Sequence, residues 1–401
     1  MYTREQLEKI FSLDYSSDTN RRIIAGKEII LHCHHYNSRI QRSVEKIPKI
    51  DGKSLIKGAA EVVFAEQFEH IKANANSEAQ QWELASGMYQ HLGFGKLDFS
   101  KVNEGVIRSQ ESHFVKGWQA GFAKERDHVC TFTEGYIQGI VYSITGKLVN
   151  VQENQCMISG ADKCLFSIDT SRTKPFLSYK RSQLPFQPNN NLKFDKRDHI
   201  DESAIIDAVV GLPIFGNEQG LIPAFGVFLG NMPADFYNFL VISFVEEMSQ
   251  VNMLATAQNL LVSDGEFCGL NTFHGIMNSQ EWEALVKPMI KENSDNLYAV
   301  IAVSNALGWG NWKVAQHQEG EFAEIVSLNG YEALGYKALK QHSEIPQCYM
   351  LRGVSAGIME LIYGFGPLED RYGSFESEEN TCIASGSSHC TFSINRAQED
   401  D

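Results

Sequence analysis

At 401 residues the chain is long enough for two or three domains with cores of their own, and 43% hydrophobic with 21% charged residues is the balance of a globular protein. A formal charge of −15 argues against nucleic acid and against anionic membrane surfaces as partners. The start, MYTREQLEKIF, is charged and lacks the apolar core of a secretory signal, and no apolar run reaches membrane-spanning length. The richest stretch, 220–244, is broken by Pro223, Pro233 and Asp235.

In chain order, the pattern predicts a helix over about 27–47, carrying the run Leu31-His32-Cys33-His34-His35-Tyr36-Asn37. A second helix fits 53–73, where Ile56, Ala60, Val63, Phe64 and Phe68 recur at near-helical spacing. Helical pattern resumes over 78–91 and stops at Gly93-Phe94-Gly95. Segments 105–109 and 130–151 read as strands, with a helix over about 112–124 between them and a short closing strand at 164–168. Residues 1–169 are expected to form a first domain. Residues 170–203, with Pro175, Pro185, Pro188 and an Asn run, are expected to be a linker. Residues 204–265 are expected to be a helical connecting segment, with Asp235 after Pro233 opening a helix, and 266–396 a second domain.

Eight cysteines are present, and six of them repeat one pattern. Cys130 is followed by Glu153, Cys156 and Cys164; Cys348 is followed by Glu379, Cys382 and Cys390. Both copies read E-x2-C-x7-C with a Ser-Gly pair between the last two cysteines, which lets the chain reverse so that both sulfurs face one point. Three thiols and a carboxylate suit a four-ligand zinc site, one Zn(2+) in each domain. From Ser109 to Gly139 the sequence aligns without gaps onto Ser327 to Gly357, at a constant offset of 218, and Ala306-Leu307-Gly308-Trp309-Gly310 answers His91-Leu92-Gly93-Phe94-Gly95. Two units at this spacing indicate a tandem duplication. Thiols in ligand positions point to a reducing compartment, and the expected localisation is cytoplasmic.

These residues, with LGFG at 92–95, the Gly135–Gly139 pair and the closing CLFSI, resemble the 4-vinyl-reductase or hydrocarbon-binding domain. The chain is similar to the sensory domain of phenol- and toluene-responsive activators. The resemblance implies mixed α/β (α+β) domains that pair, here as an internal pseudo-dimer, with zinc held by Cys130, Glu153, Cys156 and Cys164. It also implies an apolar pocket beside the metal, at Phe94, His113, Phe114, Trp118 and Tyr136 in the first copy and Trp309, Tyr331 and Tyr336 in the second. His113 is there either to orient a ligand or as a bonded core histidine. Tyr331 replaces it in the second copy, so the two pockets are expected to differ.

The functional expectation is a cytoplasmic small-molecule binding or sensor protein for an apolar or aromatic ligand, with structural zinc. A protein partner or a homodimer would receive the signal. The alternative is a metal- or haem-dependent enzyme, redox or tetrapyrrole-linked, in which His32, His34, His35 and His113 hold iron or haem. The counterpart of the histidine run is placed at 271–278, which keeps only His274. No P-loop, nucleophile elbow, dinucleotide fingerprint or H-E-x-x-H pattern is visible, and the length is accounted for without a DNA-binding module.

Overall fold

The computed structural model describes residues 2–125, 127–170, 172, 187 and 191–398. The first half contains, in order, α1 (Arg4–Ile10), β1 (Asp14–Ser16), β2 (Arg21–Ile24), β3 (Lys27–Cys33), α2 (His34–Glu45), α3 (Gly52–Ile71), α4 (Glu78–His91), β4 (Gly95–Asp98), β5 (Val106–Ser112), α5 (His113–Gly121), α6 (Thr131–Thr145), β6 (Asn150–Gln155) and β7 (Cys164–Asp169). Then follow α7 (Glu202–Val210), β8 (Ile222–Ala224), β9 (Val227–Pro233), α8 (Ala234–Gln250), α9 (Leu254–Met277) and α10 (Gln280–Leu285). The chain closes with α11 (Asp295–Ala306), β10 (Trp312–Gln318), β11 (Phe322–Ser327), α12 (Tyr331–Lys340), α13 (Tyr349–Tyr363), β12 (Phe375–Thr381) and β13 (Cys390–Arg396). Helix and sheet are mixed, as the α+β expectation requires.

Each half carries a four-stranded antiparallel sheet with the same connectivity, β4-β5-β7-β6 and β10-β11-β13-β12. A separate five-stranded sheet, β1-β2-β3-β9-β8, joins the halves, with β3 antiparallel to β9 through Ile29↔Pro233, Leu31↔Asn231 and Cys33↔Leu229. The hairpins on either side of this seam turn alike, through Ala25-Gly26 and Phe225-Gly226, all four with positive φ. That is the type I′ geometry whose twist suits a two-residue hairpin. Buried side chains of both halves form one continuous core.

In each half a glycine-bearing helix lies tight against a long partner. A Cβ on Gly135 or Gly139 of α6 would sit 2.4 Å from the carbonyl oxygens of Lys57 and Glu61 in α3. On Gly353 or Gly357 of α13 it would sit 2.0 and 2.2 Å from those of Val262 and Glu266 in α9. Backbone approach this close admits only glycine. It also explains one departure from expectation. The 130–151 stretch, rich in Thr, Ile and Val, reads as a strand, but most of it is helix α6, because its two glycines four apart fall on one helical face.

Three further readings are corrected. The expected helix over 27–47 is strand β3 up to Cys33, where Ile29, Ile30 and Leu31 pack in the central sheet; α2 starts at His34, capped by the Cys33 thiol accepting the Tyr36 N–H. The segment 204–265, expected to be helical, contains the hairpin β8–β9 that completes the shared sheet, and α9 runs unbroken through the boundary placed at 266. The counterpart of the histidine run is therefore not 271–278, which lies at the end of α9. By the register of the two hairpins its place is held by the β9–α8 junction, where Met232, Pro233, Ala234 and Asp235 correspond in position to His32, Cys33, His34 and His35. The linker expected at 170–203 lies mostly outside the described residues.

Candidate functional site

The two Cys/Glu sets are assembled by the same local devices. Cys130 and Cys348 stand at the N-cap positions of α6 and α13. Cys156 and Cys382 follow β6 and β12 and lead into a single 3-10 turn that ends on a left-handed glycine, Gly160 (φ 94°) or Gly386 (φ 96°). Cys164 and Cys390 open β7 and β13. The Ser-Gly reversal read from the sequence is this turn.

All eight residues are buried, and within each set the four ligand atoms lie within 4.8 Å of one another, so each set can hold a metal ion. Cys130 and Cys164 sulfurs are 3.7 Å apart, Cys164 and Cys156 3.9 Å, and Cys348 and Cys390 3.6 Å. One oxygen of each glutamate is fixed: Glu153 Oε2 accepts the Cys130 N–H at 3.0 Å and Glu379 Oε2 accepts the Cys348 N–H at 2.9 Å. The other oxygen, Oε1, is buried without a hydrogen-bond partner in both. Burial, reinforced by the neighbouring Cys156 or Cys382 thiolate, pushes Glu153 up to about 8 and Glu379 up to about 9. The flanking thiols donate to Cys156 and Cys382 and draw both below the ordinary thiol range.

Beside the first set lies an aromatic cluster. Phe94 packs on Phe132, Tyr89 and Phe64 at ring distances of 5.1, 5.5 and 5.8 Å, and Phe114 on Phe132 at 4.5 Å. Tyr136 stacks edgewise on Phe64 and donates its hydroxyl to the Ala85 carbonyl. Between Asn37, Gln41, Phe114, Phe132 and Phe236 lies a void of about 10 Å³. Of the residues expected to form this pocket, Phe94, His113, Phe114 and Tyr136 are brought into one cluster; Trp118 turns aside against Phe122. In the second half Trp309 donates its indole N–H to the Leu31 carbonyl, Tyr331 is buried with an unpartnered hydroxyl, and Tyr336 is half-buried.

The histidines do not converge on one point. His32 is stacked between Tyr36 and Trp309, at 4.5 and 5.2 Å. His34 uses Nδ1 to accept the Phe228 N–H, and its ring lies 4.0 Å from that of the half-buried His35. His113 Nε2 pairs with Asn37 Nδ2 at 2.9 Å, the Tyr237 hydroxyl donates to Asn37 Oδ1, and His113 Nδ1 is left without a partner. Burial lowers His32 and His113 to about 3 and His34 to about 2, so all three are neutral imidazoles. Among the described residues they form no ligand set.

Sequence reasoning missed two features of this region. Glu332 on α12 is buried and accepts the Met350 and Leu351 N–H groups at 3.1 and 2.9 Å, capping α13. Its position in the gap-free alignment is that of Phe114, so the alignment held the signal. The two cysteines outside the repeat, Cys33 and Cys268, both reach the Thr272 hydroxyl, at 3.0 and 3.5 Å, across the seam between the halves. Nothing in their sequence spacing links them.

Residues 106–170 match the V4R domain, and that stretch holds the whole of the first Cys/Glu set. No match was found among curated proteins. Among solved structures the chain is similar to the phenol-responsive sensory domain of the transcription activator PoxR with phenol. The two are 13% identical, with a TM-score of 0.38 over 50% of this chain and 93% of that one. No helix among the described residues is long and apolar enough to cross a membrane.

Proposed function

We propose that this protein binds a small, largely apolar aromatic molecule in its first half, as a sensor or carrier, and that zinc holds the frame of both halves. The observation that carries the ligand reading is the enclosed aromatic cluster around Asn37 and His113, where a buried imidazole nitrogen has no partner. A hydroxyl-bearing ring supplies both the apolar surface and the missing hydrogen bond. The void of about 10 Å³ takes no more than one water, so a ring enters only as Phe114, Phe132 or Phe236 moves aside. The V4R match over residues 106–170, which include His113 and Phe114, supports small-molecule binding as the role.

The residues fit zinc. A Zn–S bond of about 2.3 Å sets the edge of a tetrahedron at about 3.8 Å, and these sulfur separations are 3.6 to 3.9 Å. The unpartnered Glu153 Oε1 and Glu379 Oε1 supply the fourth corner. Four protein ligands leave no position for water, so the metal would serve as a staple and not as a Lewis acid. We read the chain as two repeats of one unit, 1–169 and 202–396. The shared strand order and the twin hairpins support this. Eight cysteines without a disulfide support a reducing compartment such as the cytoplasm.

Elemental analysis of the purified protein should find two zinc ions per chain. Calorimetric titration with phenol should give saturable binding that His113→Ala weakens at least tenfold, the scale expected when a buried polar contact to ligand is lost. Zinc without any binding of phenol or related monocyclic aromatics would overturn the ligand reading alone. Binding without metal would overturn the zinc reading alone.

A further inference from the structure

Asn37 and Gln41, one turn apart on α2, are the two polar residues that border the void beside Phe114. Both are buried, and their bonds fix which way round each amide stands. Gln41 Nε2 donates to the Val129 carbonyl at 2.9 Å and to Glu45 Oε1 at 3.0 Å. A backbone carbonyl only accepts, so the NH2 end must face it, and both hydrogens of that end are used. What remains is Oε1, buried and without a hydrogen-bond partner. It is the one orphaned side-chain polar atom among the residues bordering the void. Buried acceptors are seldom left so.

The direction of bonding through Asn37 rules out His113 as an alternative acceptor. The Tyr237 hydroxyl donates to Asn37 Oδ1, and Asn37 Nδ2 donates to His113 Nε2 at 2.9 Å. Turning the Asn37 amide over would strand the Tyr237 proton, since that hydroxyl has no second acceptor among the described residues. His113 is a neutral imidazole with one proton. Its Nε2 accepts, so the proton sits on Nδ1, and the unpartnered Nδ1 is a donor. The hydrogen of a ligand's O–H or N–H therefore finds no taker at His113.

The second half shows that the fold does not require an amide at this place. By the register of β3 on β9, the position of Gln41 on α2 is held by Val241 on α8, which is buried and apolar.

Resting on the aromatic-ligand reading above, we infer that Gln41 determines the specificity of the first-half site: its Oε1 accepts a hydrogen bond from the ligand. The site takes small rings that carry an O–H or N–H and rejects ethers and hydrocarbons of the same size. A ring without such a hydrogen would leave Oε1 unpaired in a closed apolar space. A site that holds a buried polar atom for its ligand discriminates strongly against the analogue lacking the partner.

Isothermal titration calorimetry on the full chain compares phenol, anisole and toluene. Phenol should bind saturably. Anisole keeps the ring and the oxygen but has no O–H, and should bind at least tenfold more weakly, with toluene no tighter than anisole. Gln41→Met keeps an unbranched side chain and removes the acceptor. It also removes the bonds to Glu45 and Val129, so the readout is the ratio of phenol to toluene affinity within the variant. That ratio should fall at least tenfold from its native value. Nitrogen NMR of the histidine rings should show His113 protonated on Nδ1. Equal binding of phenol and anisole by the native protein, an unchanged phenol-to-toluene ratio in folded Gln41→Met, or His113 protonated on Nε2 would each overturn the role of Gln41 and leave the aromatic-ligand reading standing. Binding of none of the three compounds would overturn that reading, and the role of Gln41 with it.

Discussion

The two halves share a Cys/Glu set but differ at the three positions around which the first half builds its aromatic cluster. In the first half these are Asn37, His113 and Phe114; in the second, by strand register and by the gap-free alignment, they are Tyr237, Tyr331 and Glu332. Phe114 borders a void, whereas Glu332 sends its carboxylate to the start of α13, where it accepts two backbone N–H groups. On the reading proposed above, what is shared belongs to the frame and what differs belongs to ligand binding. The halves are not independent, because Tyr237 of the second completes the Asn37–His113 pair of the first.

The strongest way to break this comparison is to remove one thiol from each set. Cys156→Ser and Cys382→Ser should each lose one metal equivalent by elemental analysis. Each should cost about 4 kcal/mol or more in denaturant unfolding, the range reached when a structural metal is lost. If the two sets do the same work, the losses will be similar. A large cost at Cys156 with none at Cys382 would show that the second set has ceased to be part of the frame.

A smaller effect separates frame from ligand in the second half. Glu332→Ala strands the buried N–H groups of Met350 and Leu351 and should destabilise the protein by about 2–3 kcal/mol. It should leave phenol affinity within twofold, since Glu332 stands in the half that fills its own space. A tenfold change in affinity would mean that ligand binding is shared across the seam.

How much of this was legible in the chain follows from the range of each interaction. The Cys/Glu sets could be read because each residue type and its spacing recur, and a Ser-Gly reversal between the last two cysteines acts over a few residues. The helices α3 and α4 could be read because their signals are local. Strand β3 could not be told from a helix, because Ile29, Ile30 and Leu31 are buried by β9, which lies some 200 residues away in the chain. The same remoteness hid β8–β9, where Pro233 reads as a break in an apolar run ahead of a helix but also ends the second strand of a hairpin. The histidine run looked like a ligand cluster because adjacency in sequence was taken for convergence. The strand-to-helix junction at Cys33 sends His32 toward Trp309 and His34 toward Phe228. Nothing local reports that divergence.

The smallest expected effect concerns a second contrast between the halves, in how each treats a glutamate on its long helix. Glu61 of α3 and Glu266 of α9 hold matching places, since their carbonyls meet Gly139 and Gly357. Glu61 has an ion pair with Arg172 at 2.5 Å and a hydrogen bond from Gln138. Glu266 instead lies against Glu360 of α13, both accepting the Gly373 N–H, with Arg39 and Glu376 the other charges that act on Glu266. Burial, and then the Glu266 charge, pushes Glu360 up to about 9. A carboxyl whose folded pKa is raised holds its proton in the folded state while the unfolded chain ionises. The stability it contributes is complete below the ordinary carboxyl range and is lost as pH rises toward about 9. Unfolding free energy of the native sequence should therefore fall between pH 5 and pH 9 on account of this pair, by at least about 1 kcal/mol. Glu360→Gln keeps the shape and removes the titration, so its stability should vary less over that interval. An equal slope in the variant would mean that the two carboxyls share no proton, and that the second half tolerates the pair as the first tolerates Glu61, by opposing charge.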